Sequence, residues 1–147
     1  MKILIGGRKY THDLVAGLTQ PQLLKIPEGY KTNILWNIGH IVVTQQILHY
    51  TLSGLKPHIS RTQLHYFRKE SSPGEWKETP DISEIMSLLM ELPLITESDY
   101  KEGKFVKFKP YTTSTGIVLS CIEDAFEFNL FHEGIHRGII QCLVKFT

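Results

Sequence analysis

Near its C-terminus the chain reads HEGIH: His132, Glu133, Gly134, Ile135 and His136. Two histidines four apart on a helix are rotated by only about 40° and stack one turn apart. Such a pair can bite one metal ion through both imidazoles. With the glutamate the pattern is H-E-x-x-H, in which zinc proteases use the Glu as general base. Those enzymes take a third ligand from further downstream. Here only Arg137 to Thr147 follow, with no His, Asp or Glu among them. The extended protease pattern would need Gly and His where Ile139 and Cys142 stand. A third ligand therefore has to come from upstream, which argues against a protease. Glu133 lies about 100° round the helix from His132. Three roles are open to it: a catalytic base, a partner that supports the ligands, or a solvent-facing residue.

The chain has 7 histidines. His12, His58 and His65 sit among polar residues and read as solvated or structural. His49 falls at the end of a helical stretch, where a cation suits the negative end of the dipole. His40 differs, because it is embedded in the apolar run ILWNIGHIVV, where an imidazole must find a partner. Two readings are open for it: a third metal ligand with His132 and His136, or a neutral core histidine donating to a carbonyl. Asn37 and Asn129 stand three residues before His40 and His132, on the ligand side of their helices. They could orient a ligand or a bound water, or simply bond a neighbouring helix.

These residues need helices to position them, and the sequence supplies the signals. A long helix is expected over 33–53, capped by Asn33 and closed by Gly54. Its apolar residues cover so broad a surface that it suits the interior of a bundle. A final helix is expected over 121–145, opened by a capping box of Ser120 and Glu123. Asp81 starts a third amphipathic helix, which Pro93 should kink or break. Periodicity is weak in YTHDLVAGL, and Gly6-Gly7 leave the start of that first helix open. ISRTQLHYFRK reads as a short helix after a Ser60 cap. The stretch GKFVKFKPYTTSTGIVLS reads as extended chain or a minor strand pair. The whole is an all-α four-helix bundle with irregular connections, a single domain over residues 1–147.

Composition excludes several classes. The net charge is +1 and the basic residues are scattered, so nothing favours nucleic acid. No apolar run is long enough to span a bilayer, and no signal peptide is evident, so a cytoplasmic protein is expected. Cys121 and Cys142 would lie about 31 Å apart on one helix, too far for a disulfide. Cys121 falls at a helix start, where a thiol pKa can drop.

The segments NILWNIGHIVVTQQ and FNLFHEGIHRGII together resemble the DinB-like superfamily. Trp36, Gly39 and His40 match its W-x-x-G-H pattern. His132, Glu133, His136 and Gly138 match H-E-x-x-H-x-G. The flanking GLTQPQLLKIPEGY and SCIEDAF are similar as well, so the resemblance covers nearly the whole chain. It implies a four-helix bundle with a rearranged helix order. It implies a divalent metal, zinc or nickel, held by His40, His132 and His136, and often a homodimer. Relatives of this kind include S-transferases that use low-molecular-weight thiols such as bacillithiol or mycothiol. On this resemblance a metal-dependent enzyme of thiol-transferase or hydrolase type acting on a small molecule is expected. The alternative is a stress-related bundle that only binds a metal or ligand. The short first helix departs from the pattern.

Overall fold

The computed structural model describes residues 1–147. It contains helices α1 (Lys2–Val15), α2 (Gln20–Leu24), α3 (Ile34–Gln46), α4 (Arg61–Phe67), α5 (Ile82–Lys101) and α6 (Ile122–Val144). A π-helical turn, Ile47–Thr51, extends α3, and Gly54 closes the run with φ +71°. The only sheet is a hairpin of β1 (Tyr111–Thr112) and β2 (Val118–Leu119), paired antiparallel. The expected all-α bundle and its minor strand pair are therefore present. No helix is long and apolar enough to cross a membrane.

α3 is the axis of the molecule. Every residue from Ile34 to Val43 is buried, as its all-round apolar surface requires. It packs against α5, α6 and α4, while α1 packs against α5 and α6. The long helices thus follow one another around the bundle as α1, α5, α3, α6. Helices α1 and α3 face each other across the diagonal, so the order is rearranged relative to a simple hairpin series. The main core joins Val15, Leu35, Ile38, Leu89, Ile140 and Leu143 from all of these elements. Each such side chain contributes roughly 1.5–3 kcal/mol of burial.

Several local expectations need correction. The first helix is not short: α1 runs straight through Gly6 and Gly7. Its buried face is Leu4, Gly7, Arg8, Thr11 and Val15. That stripe has helical spacing, but a charged residue sits in its middle and hides it from a hydrophobicity reading.

Pro93 does not break α5, which continues for two more turns. A proline cannot donate to the carbonyl four residues back, here Leu89. The Arg8 guanidinium donates to that very carbonyl at 3.3 Å. A side chain from α1 thereby supplies the donor that Pro93 lacks.

The cap of α6 also differs. Cys121 is the N-cap, and Ser120 and Glu123 form no capping box. Instead the Ser120 N–H donates to Asp124 Oδ2 at 2.7 Å, and Glu123 accepts from the Tyr100 hydroxyl at 2.8 Å. The Ser60 cap of α4 is present, with Gln63 closing its capping box.

His49 is not a solvated cation at a helix end. It is fully buried, edge-on to Phe126, and neither ring nitrogen has a hydrogen-bond partner. Burial, reinforced by the nearby Arg8 charge, pushes its pKa down to about 3. Both cysteines are free thiols.

Candidate metal centre

His40 is presented by α3, and His132 and His136 by successive turns of α6. The close packing of these two helices brings the three rings together. Ring centroids lie 5.1 Å apart for His40 and His132, 4.7 Å for His40 and His136, and 4.5 Å for His132 and His136. One nitrogen from each ring falls within 4.8 Å of the others. The three histidines are so placed that they can hold a divalent metal.

The surroundings fix how the rings point. His40 Nδ1 lies 2.7 Å from the Phe67 carbonyl oxygen, which only accepts. Nδ1 therefore carries the proton, and the Nε2 lone pair is left towards the cluster. His136 Nδ1 lies 2.8 Å from Asn37 Oδ1, which imposes the same tautomer. This arrangement, with the far nitrogen held by a carbonyl or amide oxygen, typifies ligating histidines. His40 donates to a carbonyl, as one reading has it, and it also stands in the three-histidine cluster. On His132, Nδ1 is buried with no partner at all. A buried ring nitrogen without a partner beside two aligned imidazoles fits a metal and is otherwise costly.

The electrostatics suit a neutral ligand set. Burial is the leading cause that depresses all three histidines. His132 falls to about 4, helped by repulsion from His40 and Arg8. His136 falls to about 3, helped by His132 and His40. For His40 the Phe67 carbonyl opposes the burial effect without overcoming it. All three rings are neutral near pH 7 and can donate lone pairs.

Two positions in the W-x-x-G-H stretch have physical reasons. The Trp36 ring stacks on His40 at 4.6 Å with 9° between planes. Its indole N–H donates to Ser71 Oγ at 3.0 Å. A Cβ on Gly39 would collide with the Phe67 ring. Glycine there lets α4 come close enough for the Phe67 carbonyl to reach His40. In the second motif, Gly138 faces open space, and nothing in the structure requires glycine at that position.

Glu133 lies apart from the cluster's donors. It is 2 % exposed, which excludes the solvent-facing role. Its two oxygens accept from Arg8 Nε at 2.8 Å and Arg8 Nη2 at 2.7 Å. The Asn129 amide donates to the same carboxylate at 2.8 Å. Asn129 therefore serves Glu133, whereas Asn37 serves His136 directly. Arg8 also reaches the Ile41 carbonyl at 3.1 Å and Gln45 Oε1 at 3.2 Å. One guanidinium thus ties α1 to α3, α5 and α6.

A cavity of about 370 Å³ opens over the histidines. Its walls are apolar, from Leu48, Leu52, Phe128 and Ile135, and no Asp or Glu lines it. Arg8, the Phe67 carbonyl, Thr44 and the place of the expected strand pair beside the cavity escaped the sequence reading. Of these only Thr44 left a trace, one turn after His40, with its hydroxyl 3.4 Å from Nε2.

The DinB superfamily family model matches residues 3–140. The match covers all the long helices and all three histidines, so the chain belongs to this superfamily. A search of curated proteins finds no match to it.

Proposed function

We propose that the protein is a metal-dependent enzyme that transfers a thiol to a small electrophile, with zinc or nickel held by His40, His132 and His136. The observation that carries this reading is the trio of neutral imidazoles, pre-aligned by Phe67 and Asn37, at the floor of an apolar cavity. Three protein ligands leave at least one open position, the mark of a catalytic site. A divalent ion bound there supplies Lewis acidity, which lowers the pKa of a thiol or water that it takes up.

The protein's own residues favour thiol over water as the nucleophile. Hydrolysis of the H-E-x-x-H type needs a carboxylate base in the cavity. Glu133 has both oxygens committed to Arg8 and Asn129, and no other carboxylate lines the cavity. Thiol transfer needs no such base. The sulfur forms a bond to the carbon of the electrophile, the leaving group departs with its electron pair, and the thiol proton goes to solvent. The apolar walls hold the electrophile and exclude water. A cytoplasmic location, a homodimer, and no role for nucleic acid complete the reading.

Metal content of the purified protein and of His40→Ala tests the first half. The expected result is about one ion per chain for the wild type, and at least a tenfold weaker hold in the variant. Equal, negligible metal in both would remove the metal reading. Turnover of bacillithiol or related thiols with an alkylating electrophile tests the second half. A metal-loaded protein that turns over none of them is a binding protein instead.

A further inference from the structure

We propose that the cavity over the histidines takes an anionic, largely apolar ligand whose far-end carboxylate or sulfonate is received by Lys69. This rests on the reading of the histidines as metal ligands, and it adds the class of molecule that the site selects.

Charge counting is the first argument. Of the residues that line the cavity, Lys69 alone carries a full charge, and it is positive. The three imidazoles bring no negative charge to a divalent ion. Glu133, next in sequence to His132, is already balanced by Arg8. A loaded site therefore keeps an unopposed positive charge at the histidines and, at Lys69, a second one met only by the exposed Glu70 at 3.9 Å. The ligand has to supply the compensation. The apolar residues that share the cavity with these charges call for an apolar segment in the same molecule.

The placement of Lys69 is the second argument. It follows Phe67 by two residues, and the Phe67 carbonyl is bound to His40. After it, Glu70 adopts φ 70°, a left-handed conformation that non-glycine residues avoid. Ser71 then accepts from Trp36, which stacks on His40. The segment is thus pinned to the His40 ring on both sides of Lys69. The ammonium itself is uncommitted. Its side chain is 67 % exposed, and its contact to Glu70 is a loose 3.9 Å. Such exposed pairs contribute little and yield readily to a better anion. Hydroxyl groups of Tyr111, Ser114 and Thr115 line the same cavity and can donate to anionic oxygens.

The test uses zinc-loaded protein and three thiols of matched length: mercaptohexanoate, mercaptohexanol and aminohexanethiol. Calorimetry reads their affinities for the wild type, Lys69→Met and Lys69→Glu. The acid should bind about tenfold more tightly than the alcohol, with the amine weakest. Lys69→Met should bring acid and alcohol together, and Lys69→Glu should favour the amine over the acid. An unchanged order in Lys69→Met, equal binding of acid and alcohol by the wild type, or no binding of any of them overturns the proposal. Zinc measured on the same samples separates the two readings. Protein that takes no zinc yet shows the Lys69-dependent order keeps the anion site and loses the metal. Zinc-loaded protein that ignores charge does the reverse.

Discussion

His49 shows how one side chain can set the acid limit of the fold. Its pKa is about 3 in the folded protein, because it is buried and near Arg8, and about 6.5 in an unfolded chain. Because the folded value is depressed, the unfolded state binds more protons between these two limits. Stability is therefore intact above pH 6.5 and drains away as the pH falls towards 3. Between pH 7 and pH 5 this residue alone should cost about 2 kcal/mol. Urea unfolding at both pH values should show a larger total loss in the wild type, since His40, His132 and His136 are depressed too, and a loss smaller by about 2 kcal/mol in His49→Leu. Equal losses would mean that His49 titrates normally.

Glu133 carries a different lesson at the same scale. It sits between the two histidines in sequence, yet on the helix it points to Arg8. A protease base and this buried counter-ion occupy the same position on the helix and differ only in what they face. No property of the five letters decides between them, since the partner is 125 residues away. Asn37 and Asn129 have equivalent places before their histidines, but only Asn37 meets an imidazole.

Among the elements, α3, α4 and α5 were legible because caps and apolar periods agreed, and α6 from its apolar period alone. Asn33, Ser60 and Asp81 each accept from the backbone as their types lead one to expect. α1 was less legible because two glycines and a buried arginine interrupt its pattern. Pro93 misled for a related reason: its missing donor is replaced from another helix, and no local rule sees that. The contact of α4 with α3 hinges on Gly39. Gly39→Ala should push Phe67 away, cost about 1–3 kcal/mol by overpacking, and release the Phe67 carbonyl from His40. Thermal unfolding and zinc competition against a chelator check this together. A variant that loses stability but holds zinc as tightly as the wild type would show that the carbonyl contact does not orient the ligand.

Over the whole molecule, the Arg8–Glu133 pair is a fully buried ion pair that joins α1 to α6. Both residues are nearly inaccessible, at 1 % and 2 %. Removing one partner strands the other, so Arg8→Met should cost about 3–5 kcal/mol. Arg8→Met combined with Glu133→Leu should recover much of that loss, because two apolar groups need no partners. The recovery will be incomplete. Arg8 also serves the Leu89 carbonyl, which Pro93 cannot serve and the double variant leaves unpaired. Urea unfolding of the two single variants and the double variant gives the coupling directly. Simple additivity would show that the pair is not the unit described here.

That guanidinium also has a meaning in time. Its partner lies 125 residues further on, so a growing chain carries Arg8 through the synthesis of α2 to α5 before Glu133 exists. Until then α1 has a charge it cannot bury, and the carbonyl freed by Pro93 has no donor. The ribosome must deliver α6 before the bundle can close, and α6 also carries two of the three histidines. Closure of the core and completion of the three-histidine cluster therefore wait for the same helix.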